Sequence, residues 1–335
     1  MHLVLLSVHW PQLIKDKKCI KESSMQFVQP KCTPWGETPY DFEGSLKWIE
    51  KAGRVCYDSL HRMTDTSAPA FVLGKIKSAH LSIIEHSNLV LRTQNTLRNP
   101  NDIAAKFKGL LNSSYIRVHV IGDYVYIAGN YRAFFEHALR SNYVDPEGFD
   151  GMLQVPTGML LHYFKNIVDI TLNELSSIRD MVVVTDKDEV PDILKRVTFE
   201  FLTDRAVTHE LVRHRRASFS QRSQRYVKEG NLQIIEPAWY SRLSEDAKVK
   251  FYEHMLSVEQ LYSFLMDKDD SRCKAEEARV ALPNATATIL VMTASVSNWK
   301  WILHLRDTDA AYPPTRALLK EAKHFIVDKG WLQYT

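Results

Sequence analysis

The sequence predicts an α+β fold in which a mixed, mostly antiparallel sheet is flanked by helices. Two strand patterns support it. Residues 197–202 are rich in β-branched and aromatic side chains, and residues 115–127 alternate around a Gly-Asp turn as a hairpin does. Amphipathic spacing predicts helices over residues 44–57 and 246–265. No G-x-G motif occurs, which excludes the glycine-rich turns of Rossmann and P-loop nucleotide sites.

The sequence also predicts the remaining elements. Residues 1–24 lack the features of a secretory signal, and we expect them to form a dispensable leader. A turn and the start of a strand are expected over residues 80–86. Further strands are expected over residues 25–28, 181–184 and 231–237, and further helices over residues 132–140, 159–177 and 274–282. The strand over residues 181–184 is a continuous apolar run, so we expect it to be buried.

Composition and charge are those of an ordinary globular protein of 335 residues, with 45% hydrophobic and 25% charged residues. A formal net charge of +3 gives no reason by itself to expect a nucleic-acid partner. No C-x-x-C pair occurs, which disfavours a disulfide framework or a cysteine metal site. The four cysteines are Cys19, Cys32, Cys56 and Cys273. No apolar run is long enough to span a membrane, and we expect a cytoplasmic protein without a membrane partner.

Residues 213–226 contain five arginines and three serines but no lysine, acid or glycine. Guanidinium groups bind phosphate oxygens in pairs, and serine hydroxyls supply further donors. A helix is expected to lead into this stretch, with Asp204 as its N-cap and Val207, Leu211 and His214 on one stripe. The residues leave three interpretations open: a solvated basic face, a nucleic-acid-binding helix, or a site for a phosphorylated small molecule.

A zinc site is excluded at the neighbouring histidines. His209, Glu210 and His214 resemble the H-E-x-x-H zinc helix, but the two histidines are five residues apart rather than four. A step of five turns the second histidine about 140° away from the first, whereas a step of four leaves it about 40° away. The sequence therefore predicts no metal ligand here.

Three segments carry a resemblance to one family. The pattern R-H-R-x-x-S-x-x-x-x-S-x-R resembles the signature of the flavin-dependent thymidylate synthases, and its fixed positions are Arg213, His214, Arg215, Ser218, Ser223 and Arg225. A second match, A-R-x-x-L-P-N-A-T, covers residues 278–286, and Arg306 follows Arg279 at the spacing used by that family. A third segment matches at His80, Ser82, Glu85 and His86, although Ala79 and Ile83 replace the usual Gly and Pro.

The resemblance implies a homotetramer that converts dUMP to dTMP. Methylenetetrahydrofolate would donate the carbon, and FAD reduced by NADPH would donate the hydride. The residues implied for dUMP are Glu210, Gln221, Ser223, Gln224, Arg225, Arg279 and Arg306, of which Ser223, Arg225 and Arg306 are the expected catalytic residues. The residues implied for FAD are His80, Ser82, Arg213, His214 and Arg215.

The chain also departs from the family pattern. Relative to that pattern, residues 25–335 form one catalytic domain interrupted by an insert, expected to be an α/β subdomain, at about residues 93–195. Three positions after Arg279 that are polar in the family hold Ser295, Ser297 and Trp301. Beyond Arg306, the family's A-Q-x-E-I-R reads A-Y-P-P-T-R over residues 311–316, with Pro314 in place of the acid. Within the insert, Asn130 and Arg132 stand in a segment that reads like the lost one, and we expect them to supply the missing FAD contacts. The alternative is that Asn130 caps a helix and Arg132 lies on the surface.

Two other functions compete with an active enzyme. The C-terminal departures are compatible with a catalytically silent flavin- or nucleotide-binding homologue. An arginine-rich nucleic-acid-binding protein is disfavoured, because only Phe219 and Tyr226 interleave with the basic residues as stacking side chains would.

Overall fold

A computed structural model describes residues 25–95, 113–143, 157–175, 180–268 and 273–332. The expected leader, Cys19 and parts of the expected insert lie outside the described residues. The described chain forms two compact units that are interleaved in sequence. The first unit holds the described residues of 25–30, 204–206 and 224–287, and the second holds the described residues of 31–203, 207–223 and 288–332. The prediction of a single catalytic domain stays a prediction.

The fold is α+β, as the sequence predicts. Its strands are β1 (Gln26–Val28), β2 (Lys31–Glu37), β3 (Leu89–Gln94), β4 (Ile116–Ile121), β5 (Tyr124–Gly129), β6 (Val182–Val183), β7 (Arg196–Asp204), β8 (Ser218–Gln221), β9 (Gln233–Ile235) and β10 (Ala287–Ser295). Its α-helices are α1 (Phe42–Cys56), α2 (Ala68–Lys77), α3 (Tyr131–Tyr143), α4 (Thr157–Lys165), α5 (Ile167–Glu174), α6 (Arg205–Leu211), α7 (Glu245–Ser263), α8 (Ala275–Ala278), α9 (Val296–Arg306) and α10 (Pro313–Asp328). In the part of the chain that is described, no helix is long and apolar enough to cross a bilayer.

The first unit is built on a parallel pair of short strands and one long helix. Strand β1 pairs with β9, and the pair packs on α7 through a core that includes Ile234, Tyr252 and Met255. The strands near residues 25–28 and 231–237 and the helix over residues 246–265 are therefore confirmed.

The helix predicted over residues 274–282 is confirmed only in part. The α-helical part is only α8, and a 3₁₀ turn, Arg279–Ala281, follows it. The physical reason is Pro283, because the residue before a proline is driven out of the helical region. Leu282 is accordingly extended, with φ −76° and ψ 136°.

The second unit contains two four-stranded sheets. One sheet has the order β2–β7–β10–β8, with β2 antiparallel to β7 and β8 antiparallel to β10. Its central strand β7 buries Val197, Phe199 and Phe201 against α9, whose Trp299 is fully buried. The other sheet has the order β4–β5–β3–β6 and is antiparallel throughout.

The second sheet confirms the predicted hairpin. Strands β4 and β5 meet at a turn where Gly122 has φ +57°, a left-handed conformation that glycine adopts without steric cost. Helix α3 confirms the helix predicted over residues 132–140, and its Phe134 and Phe135 lie in the core shared with α1 and α2.

Two expectations within the insert need correction. The helix expected over residues 159–177 is two helices, α4 and α5, because Asn166 leaves the helical conformation and its side-chain amide donates to the carbonyl of His162. Strand β6 is not a buried strand. It lies at the edge of its sheet, and Val182 is 45% exposed.

Two expectations near the motifs are also wrong. Residues 80–86 do not begin a strand, because Leu81–Glu85 is a 3₁₀ helix and β3 starts only at Leu89. Helix α6 ends at Leu211, so His214 does not continue its apolar stripe. The backbone N–H of His214 bonds instead to the carbonyl of Leu211, which closes a tighter turn.

Candidate active site

The first feature of the site is the arginine loop, residues 212–217, which connects α6 to β8. Arg216 has φ +68°, a left-handed conformation that costs a non-glycine residue about 1 kcal/mol. Asn298, in the first turn of α9, holds this turn through a 3.0 Å bond from its Nδ2 to the carbonyl of Arg216. Arg213, Arg215 and Arg216 are exposed, whereas Ala217 is buried.

A cavity of about 560 Å³ lies in the second unit beside this loop. It is lined by Arg117, Arg213, His214, Arg215, Arg216, Ser297, Asn298, Trp301, Ile302 and Leu305. Within the described chain, none of its four arginines pairs with a carboxylate. The indole of Trp301 is 60% exposed. Uncompensated guanidinium groups around an aromatic side chain favour an anionic ligand that has an aromatic ring.

The start of α9 forms one wall of the cavity. Ser295 is the N-cap, and its Oγ accepts from the backbone N–H of Asn298 at 3.3 Å. Ser297 and Asn298 belong to the first turn, where the helix dipole creates positive potential. Arg117 from β4 donates to Ser297 Oγ at 3.3 Å and to Asn298 Oδ1 at 3.1 Å.

A second cluster joins Glu210, His214 and Arg306. Arg306 Nη1 contacts Glu210 Oε2 at 2.7 Å, and Arg306 Nη2 donates to the Glu210 carbonyl at 3.3 Å. Arg306 Nε donates to His214 Nε2 at 2.9 Å, so this nitrogen must be the unprotonated one. Burial first and the charge of Arg306 second lower the pKa of His214 to about 4, which keeps the imidazole neutral at pH 7.

Gln221 and Ser223 lie at the end of β8. Gln221 Nε2 donates to Thr208 Oγ1 at 3.2 Å and to Thr288 Oγ1 at 3.4 Å. The backbone N–H of Ser223 donates to the carbonyl of Cys56 at 3.0 Å. Neighbouring elements thus fix both the side-chain amide of Gln221 and the backbone at Ser223.

The signature serine Ser218 has a structural role in the second unit. It is fully buried, donates to the carbonyl of Glu85 at 3.1 Å and accepts from Arg196 Nη2 at 3.0 Å. Arg196 also donates to the Glu85 carbonyl, and burial lowers its pKa to about 10. Sequence reasoning missed Arg196, because a single arginine at the start of a strand carries no pattern.

The first unit holds the other dUMP candidates. Arg225 Nε and Nη2 lie 3.4 and 3.3 Å from Glu276 Oε2, and Arg279 Nε donates to the carbonyl of Glu276 at 3.2 Å. Gln224 is 6% exposed, and its Nε2 has no hydrogen-bond partner among the described residues. The first unit therefore brings Arg225 and Arg279 together at one acidic residue.

The other FAD candidates do not line the cavity. His80 and Ser82 are exposed, and His80 Nδ1 lies 2.8 Å from the hydroxyl of Tyr57. Asn130 is 1% exposed, and its Oδ1 accepts from the N–H of Ala133 at 2.8 Å, which is a helix cap. Arg132 pairs with Glu85 and Glu136, each at 2.7 Å. Their assignment to FAD stays a prediction, and the contacts favour structural roles.

The insert residue at the cavity is Arg117, which sequence reasoning did not identify. Its strand reads I-R-V-H-V-I, and the alternation places Arg117 and His119 on one face of the hairpin. That pattern shows which face of the strand an arginine occupies but not which distant loop the face meets. Among the described residues, no three metal-ligating side chains lie close enough to hold a metal ion.

Comparison with known proteins agrees with the motifs. Residues 190–329 match the sequence model of the family described as thymidylate synthase complementing protein. The flavin-dependent thymidylate synthase of Corynebacterium efficiens is 34% identical over 128 residues, which is 34% of this chain and 50% of that protein. The enzyme of the same name from Mycolicibacterium vanbaalenii is 34% identical over 137 residues, covering 37% of this chain and 54% of that protein. The chain thus spans about half the length of these curated relatives.

One solved structure shows a weaker likeness. The UMP/dUMP methylase PolB from Streptomyces cacaoi, bound with 5-Br UMP, is 21% identical and aligns with 42% of this chain and 73% of that chain, with a TM-score of 0.36. A likeness of this size establishes no shared fold. The family match over residues 190–329, in contrast, includes the arginine signature, Arg279 and Arg306, and it confirms that the chain resembles the thymidylate synthase complementing proteins, the flavin-dependent thymidylate synthases.

Proposed function

We propose that this chain is a flavin-dependent thymidylate synthase that converts dUMP to dTMP with methylenetetrahydrofolate, NADPH and FAD, in the fold of that family extended by an inserted subdomain. The observation that supports this most is the cavity at the arginine loop. There Arg213, His214 and Arg215 of the signature line a space with uncompensated positive charge and an exposed indole. The names of the curated relatives point to the same activity.

The residues around the cavity fit FAD. Its diphosphate is an anion that arginines and a helix N-terminus bind, and its two ring systems are aromatic. The cavity volume is within the range of ordinary cofactor and ligand sites. We assign Arg213, His214 and Arg215 to FAD binding, and the neutral imidazole of His214 leaves the positive charge of the cavity to the arginines. When bound, reduced FAD would supply the hydride.

Candidate dUMP ligands occur in each unit. In the second unit, Arg306 is oriented by Glu210 and His214. Gln221 ends strand β8, and Ser223 follows it two residues later. In the first unit, Arg225 and Arg279 meet at Glu276, and Gln224 has a buried amide without a partner in the described chain. Guanidinium groups bind phosphate and stabilise negative charge that develops on a uracil carbonyl, which is the assistance that attack from uracil C5 requires.

The decisive experiment measures product formation. Purified protein should retain a yellow flavin and form dTMP from dUMP when methylenetetrahydrofolate and NADPH are both present, with dTMP identified by mass spectrometry. A protein that retains flavin and binds dUMP but forms no dTMP would be the catalytically silent homologue. Ser295 and Ser297, which replace polar residues of the family pattern, are compatible with that alternative. A protein that binds neither ligand would contradict the proposal. The implied homotetramer is tested separately by light scattering.

A further inference from the structure

One side chain of the insert, that of Arg117, is hydrogen-bonded to the helix that holds the arginine loop. Arg117 lies at the second position of β4, and its guanidinium bonds to Ser297 and Asn298 in the first turn of α9. Asn298 in turn donates to the carbonyl of Arg216. A chain of hydrogen bonds therefore runs from the insert hairpin through α9 to the left-handed turn of the loop.

The guanidinium of Arg117 is half-buried and has no compensating anion among the described residues. Both of its described partners, a hydroxyl and an amide, are neutral. Burial first and the charge of Arg216 second lower the pKa of Arg117. Burying a charge without a counter-charge is costly, and here other cations lie beside it. Such an arrangement is relieved when an anion enters the cavity.

A second arginine of the insert shows the contrasting case. Arg132 contacts Glu85 and Glu136 at 2.7 Å each, so its charge is already neutralised inside the protein. Arg92, on β3 of the same sheet as Arg117, likewise pairs with Glu189 at 3.1 Å. Of these three arginines, Arg117 alone lines the cavity.

We propose that Arg117 is an anion-binding residue of the cavity and that its ligand is the diphosphate of a bound aromatic nucleotide. The identity of that nucleotide as FAD rests on the proposed function, whereas diphosphate binding does not. The insert thus supplies a cation beside Ser297 and Asn298, which contribute no charge of their own. It does so through its hairpin rather than through the start of α3.

Three ligands measured on four proteins test this inference. Dissociation constants for FAD, ADP and inorganic pyrophosphate are determined by calorimetry at low and at physiological salt. The proteins are the full-length wild type, Arg117→Gln, Arg117→Lys and the control Arg92→Gln, which removes the same charge from the same sheet. Circular dichroism and thermal unfolding confirm that each variant is folded.

The expected result is selective. Arg117→Gln should weaken binding of all three ligands by about 10- to 100-fold, the range for one lost charge-assisted hydrogen bond. Arg117→Lys should recover part of this loss, and Arg92→Gln should bind like the wild type. Equal affinity in folded Arg117→Gln and wild type would overturn the inference, as would a wild type that binds none of the three ligands. A wild type that binds ADP and pyrophosphate through Arg117 but neither retains FAD nor forms dTMP would contradict the proposed function and leave the diphosphate site standing.

Discussion

Two strand–helix junctions of the second unit look alike locally and differ in their surroundings. At the first junction β5 leads into α3 and Asn130 caps the helix, and at the second β10 leads into α9 and Ser295 caps it. Beside the first cap, Arg132 is held between two carboxylates. Beside the second cap, the arginines that face the cavity have no carboxylate partner in the described chain. Capped helices follow strands at many places in proteins, so the cap itself does not mark a ligand site. The two junctions differ in whether the arginines near the first helical turn have carboxylate partners.

The largest effect is expected at the end of α9. Arg306→Ala removes the guanidinium that bonds to Glu210 and His214, and it should lower turnover of dUMP by about 100- to 1,000-fold, the range for loss of one preorganised donor. The measurement is the rate of dTMP formation at saturating dUMP. The exposed Arg242 supplies the control, since Arg242→Ala should leave turnover unchanged. Turnover in Arg306→Ala within threefold of the wild type would contradict a catalytic role for Arg306.

At the first junction, replacing an arginine by alanine should lower the stability of the protein rather than its activity. Arg132→Ala leaves Glu85 and Glu136 without their shared partner, so the free energy of unfolding should fall by about 1–3 kcal/mol, while the dissociation constant for FAD changes little. Urea denaturation and flavin titration measure the two quantities on one preparation. Release of FAD by a variant of wild-type stability would instead favour the assignment of Asn130 and Arg132 to the cofactor.

The contrast between the junctions also explains what the sequence can predict. Residue alternation and Gly122 are local signals, and they predict the β4–β5 hairpin correctly. The signature identifies Arg213, His214 and Arg215 as candidate ligands because R-H-R and its serines form a fixed pattern. Arg117 has no such pattern, and only the tertiary packing of β4 against α9 places it at the loop. Periodicity predicts His214 on the helix because it does not show where a helix ends. In the structure the helix ends at Leu211, and a turn with Arg216 in a left-handed conformation follows.

Two histidines near these regions predict how stability depends on pH. Burial is the main cause that lowers the folded-state pKa of His214 to about 4 and that of buried His86 to about 3, against an ordinary value near 6.5. Between these values the unfolded chain binds more protons than the folded chain, so stability is full above pH 6.5 and is lost as the pH falls towards 4 and then 3.

Urea denaturation at pH 8, 6.5 and 5 measures this dependence. The free energy of unfolding should fall only slightly between pH 8 and pH 6.5 and by more between pH 6.5 and pH 5. His214→Gln should show a smaller loss between pH 6.5 and 5, because only His86 of the pair remains. An unchanged free energy of unfolding in the wild type at pH 5 would contradict the buried, neutral state of both rings.

The smallest effect is expected at Cys56, the cysteine beside the signature. Burial raises the pKa of its thiol, with weaker opposition from a hydrogen bond with Ser220, so little thiolate is present at pH 7 to attack a uracil ring. Its backbone carbonyl, which any residue would provide, accepts from the N–H of Ser223. Cys56→Ala should therefore form dTMP at a rate within about twofold of the wild type, because the charge stabilisation at the site comes from arginines rather than from a covalent bond. The assay is paired with a flavin absorbance spectrum and a thermal unfolding curve. If the variant is folded and flavin-loaded yet forms no dTMP, the thiol takes part in the chemistry and the arginine cluster is insufficient for it.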